Sequence, residues 1–377
     1  MENFVVSARK YRPSTFEMVV GQEHITTTLK NAIKNNHLAQ AFLFCGPRGV
    51  GKTTCARILA KTINCQNLQE DGEACNECDS CKAFNNQNSF NIHELDAASN
   101  NSVEDIRKLV EQVRFPPQYG KYKIYIIDEV HMLSNQAFNA FLKTLEEPPS
   151  YAIFILATTE KHKIIPTILS RCQIFDFNRI TVRDISRHLA GIAQKEKIDA
   201  ENDALHLIAQ KADGALRDAL SIFDMIVTYS LGHKVTYHNT IENLHILDYD
   251  YYFKVVECVN NQDITNILLL FNEILKKGFD SHNFVIGLTE HFRNLLVCKE
   301  PSTVSLLEVS ENVQAKYIEQ SKLVSEALLL TSLQICSVCD INFRAAKNQK
   351  LHVEIALMKL AKINSAISLA QELKKKD

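Results

Sequence analysis

The segment "GPRGVGKT", residues 46 to 53, has the residue types and spacing that bind phosphate groups. It fits G-x-x-x-x-G-K-[ST] at every fixed position, between a strand-like apolar run and a helix-like amphipathic run. Glycines let backbone N–H groups surround phosphate oxygens, a lysine reaches the β- and γ-phosphates, and the next hydroxyl can ligate Mg²⁺. The alternative, a chance glycine-rich turn, is disfavoured by this context. The residues expected to bind a nucleotide here are Gly46, Pro47, Arg48, Gly49, Val50, Gly51, Lys52, Thr53 and Thr54, with Thr53 also a magnesium ligand.

Polar residues also follow two other apolar runs. After "KIYIID", Asp128 is placed to hold Mg²⁺, usually through water, and Glu129 to orient and polarise an attacking water. The alternative is that these are two surface acids at a strand end. The nearby phosphate loop makes this alternative the less favoured one. Thr158 and Thr159 end the run "AIFILATT". Because threonine at a buried strand end can serve packing alone, these residues by themselves leave its role open.

Four cysteines in a polar stretch have the spacing of a metal site. Cys65, Cys75, Cys78 and Cys81 follow the pattern C-x9-C-x2-C-x2-C. Four thiolates suit a closed tetrahedral zinc site and leave no open position for a catalytic water. The alternatives are unlinked thiols and a redox CxxC pair, and the few cations nearby to lower a thiol pKa disfavour the redox pair. We therefore expect structural Zn²⁺, which can fold a segment with little apolar content of its own.

The composition limits the class of protein. The chain has 377 residues, of which 46% are hydrophobic and 23% charged, as is typical of folded domains. Its net charge of −2 gives no overall nucleic-acid footprint. Its apolar runs fall short of the roughly 18 residues that a membrane span needs. Because no signal peptide is apparent, we expect a cytoplasmic protein without a membrane partner, whose 11 cysteines are reduced thiols or metal ligands.

The order of the apolar runs predicts an α/β fold followed by helices. Up to about residue 178, runs such as "AFLFCG" and "KIYIID" alternate with helical runs, which predicts a parallel sheet with helices on both faces. Such sheets bind ligands at the carboxyl ends of their strands. Beyond "RCQIFDFNRI" the strands are expected to stop. Farther on, a predicted core stripe ends at Gly278 and consists of Ile264, Ile267, Leu268, Phe271 and Ile274 or Leu275. The segment "CSVC", at Cys336 and Cys339, is interpreted as buried helix cysteines.

Several motifs together resemble the ATPase subunits of bacterial clamp loaders, the gamma/tau family of DNA polymerase III within the AAA+ superfamily. They are "ARKYRPSTFEMVVGQEH", "GPRGVGKTT", "IIDEVHMLS", "LKTLEEPP", "LATTEKHKIIPTILSRC" and "GALRDAL", and they span roughly residues 4 to 230. The resemblance implies an α/β AAA+ P-loop ATPase domain at residues 1–178, with a zinc-binding insertion at 65–81. It further implies a helical lid domain at 179–243 and an all-α collar domain for oligomerisation at 244–377.

The resemblance also assigns roles to individual residues. Thr159 would sense the γ-phosphate, and Arg217 would do so from the lid of the same subunit. Arg171 would be an arginine finger that reaches into a neighbouring subunit's site, so an isolated monomer should hydrolyse ATP poorly. The expected catalytic residues are therefore Lys52, Asp128, Glu129, Thr159, Arg171 and Arg217. The adenine and ribose pocket would be lined by Ala8, Tyr11, Arg12, Pro13, Val20 and Gly21.

The implied function is that of an ATP-hydrolysing motor that opens a sliding clamp and loads it onto primed DNA during replication. Its implied partners are delta- and delta-prime-type loader subunits, further copies of itself, the sliding clamp and primer–template DNA. In "DAASNNSVEDIRKLVEQV", Ser102 and Asp105 have capping-box spacing. Arg107 and Lys143 are candidates to face the duplex, and ordinary solvated helix residues are an equal alternative. The family tends to have basic residues after "DAAS", where this chain has "NNS".

Two other functions fit parts of the pattern. One is a different AAA+ machine, such as a branch-migration helicase, which the cysteine insertion and "SRC" together disfavour. The other is a structural subunit that does not hydrolyse ATP. The intact set of Lys52, Thr53, Asp128 and Glu129 argues against that second alternative.

Overall fold

The structure is a computed structural model that describes residues 6–86, 88–117, 120–230, 234–244, 246–307 and 309–365. Its contacts divide the chain into two compact units. The first comprises the chain up to Asp199 together with Ile208–Thr228, and the second comprises Ala200–Leu207 together with the chain from Tyr229 onward. The division into three domains stays a prediction.

The first unit contains a parallel sheet, as expected, with the strand order β2-β3-β4-β1-β5. Its strands are β1 (Ala41–Cys45), β2 (Ile92–Asp96), β3 (Lys123–Asp128), β4 (Ala152–Thr158) and β5 (Gln173–Asp176). The central strands β1 and β4 are buried along their whole length, which fits a sheet covered on both faces. Strand β2 lies at an edge and is partly exposed, so its sequence "IHELD" has no continuous apolar run and does not predict a strand.

Helices cover both faces of this sheet. Along β1, Phe42 and Phe44 belong to one core cluster, while Leu43 and Cys45 belong to the other. The first cluster includes residues of α2 and α3, and the second includes residues of α5 and α6. The helices as far as residue 196 are α1 (Ser7–Lys10), α2 (Glu23–Lys34), α3 (Lys52–Ile63), α4 (Asp79–Asn85), α5 (Val103–Val113), α6 (Asn135–Glu146), α7 (Pro166–Leu169) and α8 (Val182–Glu196), with single 3₁₀ turns at Val130–Met132 and Lys161–Lys163.

The carboxyl ends of the strands meet at one edge, because all five strands run in the same direction. Cys45 at the end of β1 pairs with Thr158 at the end of β4. Asp96 at the end of β2 pairs with Asp128 at the end of β3. The register therefore brings the phosphate loop, the acidic pair and the threonines to the same edge.

Beyond α8 the expectation of helices alone is wrong in one detail. The two-residue strands β6 (Asp199–Ala200) and β7 (Lys234–Val235) form a separate two-stranded sheet. Strands this short leave no alternating pattern to detect. The helices between them are α9 (Asn202–Lys211) and α10 (Leu216–Tyr229). The predicted cap of α8 is confirmed, since the Thr181 hydroxyl oxygen accepts the Asp184 N–H at 3.1 Å.

The second unit is helical and has its own apolar core. Its remaining helices are α11 (Tyr237–Leu244), α12 (Tyr249–Asn260), α13 (Ile264–Lys276), α14 (Ser281–Val297), α15 (Glu311–Leu323), α16 (Glu326–Phe343) and α17 (Gln349–Ala361), with a 3₁₀ helix at Pro301–Leu306. The predicted stripe is confirmed, because Ile267 and Phe271 are buried and Gly278 follows α13 with a φ of 86°. Cys336 and Cys339 are buried in α16, as predicted.

Helix α16 is long and apolar. Within the described residues it is the one helix whose length and mean hydropathy of 1.2 would suit a membrane span. Its Leu328, Leu329 and Phe343 are buried in the core of the second unit. A core helix meets the same criteria of length and composition.

Candidate functional site

The phosphate loop connects β1 to α3 and depends on glycine at two close approaches. Gly46 has a φ of 147°, and a Cβ there would collide with the carbonyl oxygen of Phe177. Gly49 has a φ of 78°, and a Cβ there would lie 3.0 Å from the Cβ of Ala215. Larger residues at these positions would be both strained and crowded. The sequence pattern thus corresponds to a backbone that passes close to two other segments.

Lys52 begins α3 and points back into the loop. Its Nζ donates hydrogen bonds to the carbonyl oxygens of Gly46 and Pro47, both at 2.7 Å, and the residue is only 5% exposed. Burial lowers the pKa of Lys52, and the nearby carboxylates of Glu129 and Asp128 partly offset this effect. The ammonium group is therefore largely shielded from water and bonded to two uncharged carbonyl oxygens.

The next residue connects the loop to the acidic pair. The Thr53 hydroxyl donates to Oδ2 of Asp128 at 2.6 Å. The other oxygen, Oδ1, accepts the backbone N–H of Glu129 at 2.9 Å. Glu129 itself has a left-handed backbone, with φ 47° and ψ 44°, which turns the chain sharply at the end of β3. A hydroxyl and a carboxylate in contact are suitable oxygen ligands for Mg²⁺.

The carboxylate of Glu129 is held by the end of the neighbouring strand β4. Its Oε2 accepts the Thr159 hydroxyl at 2.9 Å and the Thr159 N–H at 3.2 Å. His131 adjoins this group, with Nδ1 3.0 Å from the Thr158 hydroxyl and 3.4 Å from Glu129, and with Nε2 3.4 Å from Glu160. The sequence reasoning missed His131 and Glu160. Their position directly after two sheet strands was the available signal.

A cleft open to solvent lies beside these groups. Five of the residues expected to bind the base and ribose line it, namely Ala8, Tyr11, Arg12, Pro13 and Val20. It is also lined by Arg48, Gly49, Val50, Gly51, Lys52, Thr53, Thr54, Asp128, Glu129 and Arg217. Lining residues that the sequence reasoning missed are Val19, Ile180, Leu216 and Leu220. Most of the expected nucleotide-site residues are therefore brought together.

Four expected residues do not line the cleft themselves but contact residues that do. Gly46 and Pro47 contact the cleft through Lys52, and Thr159 contacts it through Glu129. Gly21 lies behind the lining residue Ile180, whose Cγ2 would be 2.9 Å from a Cβ at position 21. Each of them acts on the cleft through a neighbour.

A buried glutamine ties the loop to the strand beyond it. Gln22 is fully buried, and its Nε2 donates to the carbonyl oxygens of Asn178 at 2.7 Å and Val50 at 3.5 Å. Its Oε1 accepts the N–H of Asn178 at 3.3 Å. These bonds fix the phosphate loop relative to the chain after β5, a role that the sequence did not indicate.

Three expected functional residues lie away from the cleft. Arg171, just after α7, donates to Glu146 Oε1 at 2.9 Å and to the Thr167 carbonyl at 2.7 Å. Arg107 on α5 and Lys143 on α6 are exposed. The chain does not bring these three cations to its own cleft.

The four cysteine sulfurs form one cluster between α3 and β2. Their Sγ atoms lie within 4.8 Å of one another, and Cys65 and Cys75 are 3.5 Å apart. A tetrahedral site with Zn–S bonds near 2.3 Å requires sulfurs about 3.8 Å apart. The N–H of Cys75 donates to Cys65 Sγ at 3.3 Å, and the N–H of Cys78 donates to Cys75 Sγ at 3.3 Å. The spacing and the donors therefore fit four thiolates around a metal.

The backbone also affects the acidity of these thiols. Burial alone would raise the pKa of Cys78, but N–H donors from Gln66 and Cys81 outweigh it and lower the pKa to about 6. The pKa of Cys75 is lowered by the N–H groups of Cys78 and Glu77. Burial raises the pKa of Cys65 and Cys81. The thiols of Cys75 and Cys78 are therefore more acidic than an ordinary cysteine thiol.

Comparison with known proteins identifies three matching families along the chain. The family "DNA polymerase III, delta subunit" matches residues 21–181, and "DNA polymerase III clamp loader subunit, ATPase lid domain" matches residues 184–232. The family "DNA polymerase III subunits gamma and tau domain III" matches residues 237–375. The matches follow one another along the chain in the order of the regions expected from the sequence.

Two relatives that match most of this chain are themselves DNA polymerase III subunits. DNA polymerase III subunit gamma of Buchnera aphidicola subsp. Baizongia pistaciae is 34% identical over 96% of this chain and 98% of its own length. Subunit tau of Bacillus subtilis is 40% identical over 93% of this chain, which spans only 62% of that relative. Among solved structures, the Holliday junction branch migration motor RuvB of Thermotoga maritima has a TM-score of 0.48 and 19% identity, over 66% of this chain and 79% of that one.

A substitution of Gly46 tests the close approach in the loop. Gly46→Ala should lower the free energy of unfolding by roughly 1–3 kcal/mol or more, because the added Cβ meets the backbone of Phe177. The measurement is urea denaturation followed by circular dichroism. The matched control is Gly191→Ala in α8, where a Cβ would meet no described atom within 4 Å. The control should be neutral or stabilising, and equal midpoints for both variants would contradict the geometry.

Proposed function

Since the chain belongs to the gamma and tau family of DNA polymerase III clamp-loader subunits, we propose that it is an ATP-hydrolysing motor that opens a sliding clamp and loads it onto primed DNA during replication. The observation that carries this proposal is the joined set of Thr53, Asp128, Glu129 and Thr159 beside the Lys52 ammonium group. A structural subunit has no need of such a set. The activity belongs in the cytoplasm, where bacterial DNA lies.

Each side chain has a separate task in hydrolysis. Lys52 would exchange its two carbonyl acceptors for oxygens of the β- and γ-phosphates, while the loop N–H groups surround them. Thr53 and Asp128 would hold Mg²⁺, which neutralises charge on the phosphates when bound. Glu129 would orient the attacking water. Because the Thr159 hydroxyl holds Glu129, a γ-phosphate that draws this hydroxyl away would release the carboxylate for that task.

The cleft also supplies recognition of the rest of the nucleotide. Ala8, Pro13 and Val20 offer apolar surface to a base, and Tyr11 and Arg12 offer polar groups at the same wall. Arg217 at the start of α10 also lines the cleft and is exposed, so its guanidinium could approach the γ-phosphate. Closure of that helix would then depend on which nucleotide is bound.

The proposed partners follow from the family and from the cations away from the cleft. Delta- and delta-prime-type subunits and further copies of this chain would complete a hetero-oligomer, in which Arg171 reaches a neighbour's nucleotide. The sliding clamp and primer–template DNA would be its substrates, and no membrane is involved. Arg107 and Lys143, exposed on helices α5 and α6, would contact the duplex. Residues 1–178, 179–243 and 244–377 would be the ATPase, lid and collar domains.

The decisive test is ATP turnover by the full chain, alone and reconstituted with partner loader subunits, clamp and primed DNA. We expect clamp and primer junction together to stimulate hydrolysis. Lys52→Ala should abolish turnover, because no other group replaces the ammonium on the phosphates. Lys108→Ala, which removes an exposed lysine of α5, is the control and should retain turnover. The motor proposal is wrong if clamp and primer junction leave hydrolysis unstimulated, and stimulation by a branched junction alone would favour a different AAA+ machine.

Arg171 tests whether the site is completed by a neighbour. In the reconstituted assembly, Arg171→Ala should lower kcat by about 10³-fold, as expected when an arginine finger is lost. Arg187→Ala, at an exposed arginine of α8, should not. Mixing Arg171→Ala chains with Lys52→Ala chains should restore turnover, because the second variant supplies its arginine to the intact site of the first. A mixture no more active than the sum of its parts would contradict action in trans.

The cysteine cluster would hold structural Zn²⁺, and metal analysis tests this. The full chain should contain about one equivalent of zinc, and Cys78→Ser should lose it because the closed site needs four thiolates. Cys258→Ser, at a partly buried cysteine of α12, is the control and should retain the metal. Lys52→Ala should also keep its zinc. Wild-type protein without zinc would rule out this assignment.

A further inference from the structure

The cysteine segment contains one acid that is buried, unlike its neighbours. Glu73, two residues before Cys75, is only 3% exposed, whereas Glu70 is exposed. Its carboxylate accepts the backbone N–H of Phe16 at 3.0 Å through Oε2 and that of Glu17 at 3.0 Å through Oε1. Lys30 of α2 lies 2.8 Å from the same carboxylate. A charge buried this deeply needs such partners, so its contacts are specific.

A buried lysine makes a second connection between the same two segments. Lys61, near the end of α3, is 3% exposed. Its Nζ donates to the backbone carbonyl of Ser14 at 2.7 Å and to the side-chain oxygen of Asn76 at 2.5 Å. Asn76 lies between Cys75 and Cys78 and has a left-handed backbone, with a φ of 61°. The cysteine loop, α3 and Ser14 are thus joined through one ammonium group.

The segment held by Glu73 and Lys61 lies, along the chain, between two stretches that line the nucleotide cleft. Residues 8–13 line the cleft through Ala8, Tyr11, Arg12 and Pro13, and Val19 and Val20 line it again. The residues bound by Glu73 and Lys61 are Ser14, Phe16 and Glu17, which fall in the interval between these two parts. A shift of this interval would therefore move both sections of the wall expected to receive the base and ribose.

We propose that the cysteine segment, residues 65–81, is a brace for the nucleotide-binding wall, in which Glu73 and Lys61 are positioning residues that couple metal loading to nucleotide affinity. This rests on the proposed function, because it concerns the same cleft. The four thiolates fix the loop, the loop fixes Glu73 and Asn76, and these fix residues 14–17. Phe16 is also buried in the core beside the sheet. Apolar packing supplies no hydrogen-bond acceptor, so the N–H groups at positions 16 and 17 depend on the Glu73 carboxylate.

The first experiment compares two substitutions in the same loop. Glu73→Gln should weaken binding of the slowly hydrolysed analogue ATPγS with Mg²⁺ about tenfold in isothermal titration, since the loss of one charged acceptor of several hydrogen bonds is of that size. Glu70→Gln, at the exposed acid, should bind as the wild type does. Both variants should retain about one equivalent of zinc. Unchanged affinity in a zinc-loaded Glu73→Gln chain would overturn the brace.

Steady-state kinetics separate positioning from a general loss of structure. In the reconstituted assembly, Glu73→Gln should raise KM for ATP and leave kcat at saturating ATP unchanged, because Glu73 contacts neither the phosphate loop nor Asp128 or Glu129. A fall in kcat without a change in KM would contradict the proposal. Lys61→Met should resemble Glu73→Gln, and Lys61→Arg, which keeps the charge, should restore affinity in part.

Hydrogen exchange on the wild-type chain gives a result that needs no substitution. Removal of the metal with a chelator should increase exchange in the peptide that contains Phe16 and Glu17, while peptides of α17 stay protected. It should also weaken ATPγS binding to the wild type more than to Glu73→Gln, since a shared path makes the two losses non-additive. Unchanged exchange at residues 14–17 would overturn the brace. A wild-type chain that binds no ATPγS would instead overturn the proposed function, and the brace with it.

Discussion

The hydrogen bond from the Thr53 hydroxyl to the Asp128 carboxylate joins the first turn of α3 to the end of β3. Helix α3 follows β1 through the phosphate loop, and the ends of β1 and β3 are not adjacent, because β4 lies between these two strands in the sheet. The end of β4 therefore lies between the ends of β1 and β3, and it presents two threonines. Thr158 is buried, and the Thr159 hydroxyl donates to Glu129. The strand order thus brings a hydroxyl group of the β4 end to the acidic pair.

Much of this arrangement was predictable from the sequence, because its signals are local. The phosphate loop is set by glycine spacing, the central strands by continuous apolar runs, and the cysteine cluster by four thiols in one loop. Gln22 and His131 were not predictable, since each acts on groups far away in the chain or on the neighbouring strand. Strand β2 was not predicted, because an edge strand is half exposed and has no continuous apolar run. Local patterns give elements and motifs, whereas the contacts between them depend on the sheet order.

The acids of the cysteine segment illustrate the same limit. In "QEDGEAC" three acids look like solvated turn residues, and Glu70 is indeed exposed. Glu73 has the same residue type but is buried against the N–H groups of Phe16 and Glu17. The difference arises from where the loop folds back on the first unit, which depends on thiols that converge at 4.8 Å or less. The fold of this loop therefore decides which of two similar acids becomes structural.

The same N-terminal segment also explains why the first unit extends past the expected boundary at residue 178. The Ser7 N–H donates to Asp224 of α10 at 2.7 Å, and the Tyr11 hydroxyl donates to Glu196 of α8. At the phosphate loop, the N–H of Arg217 lies 3.4 Å from the carbonyl oxygen of Gly49. Helices α8 and α10 are therefore tied to the cleft at its wall and at its phosphate loop. Because a Cβ at Gly49 would lie only 3.0 Å from the Cβ of Ala215, the phosphate loop and the residues just before α10 are packed closely, and glycine is what permits that contact.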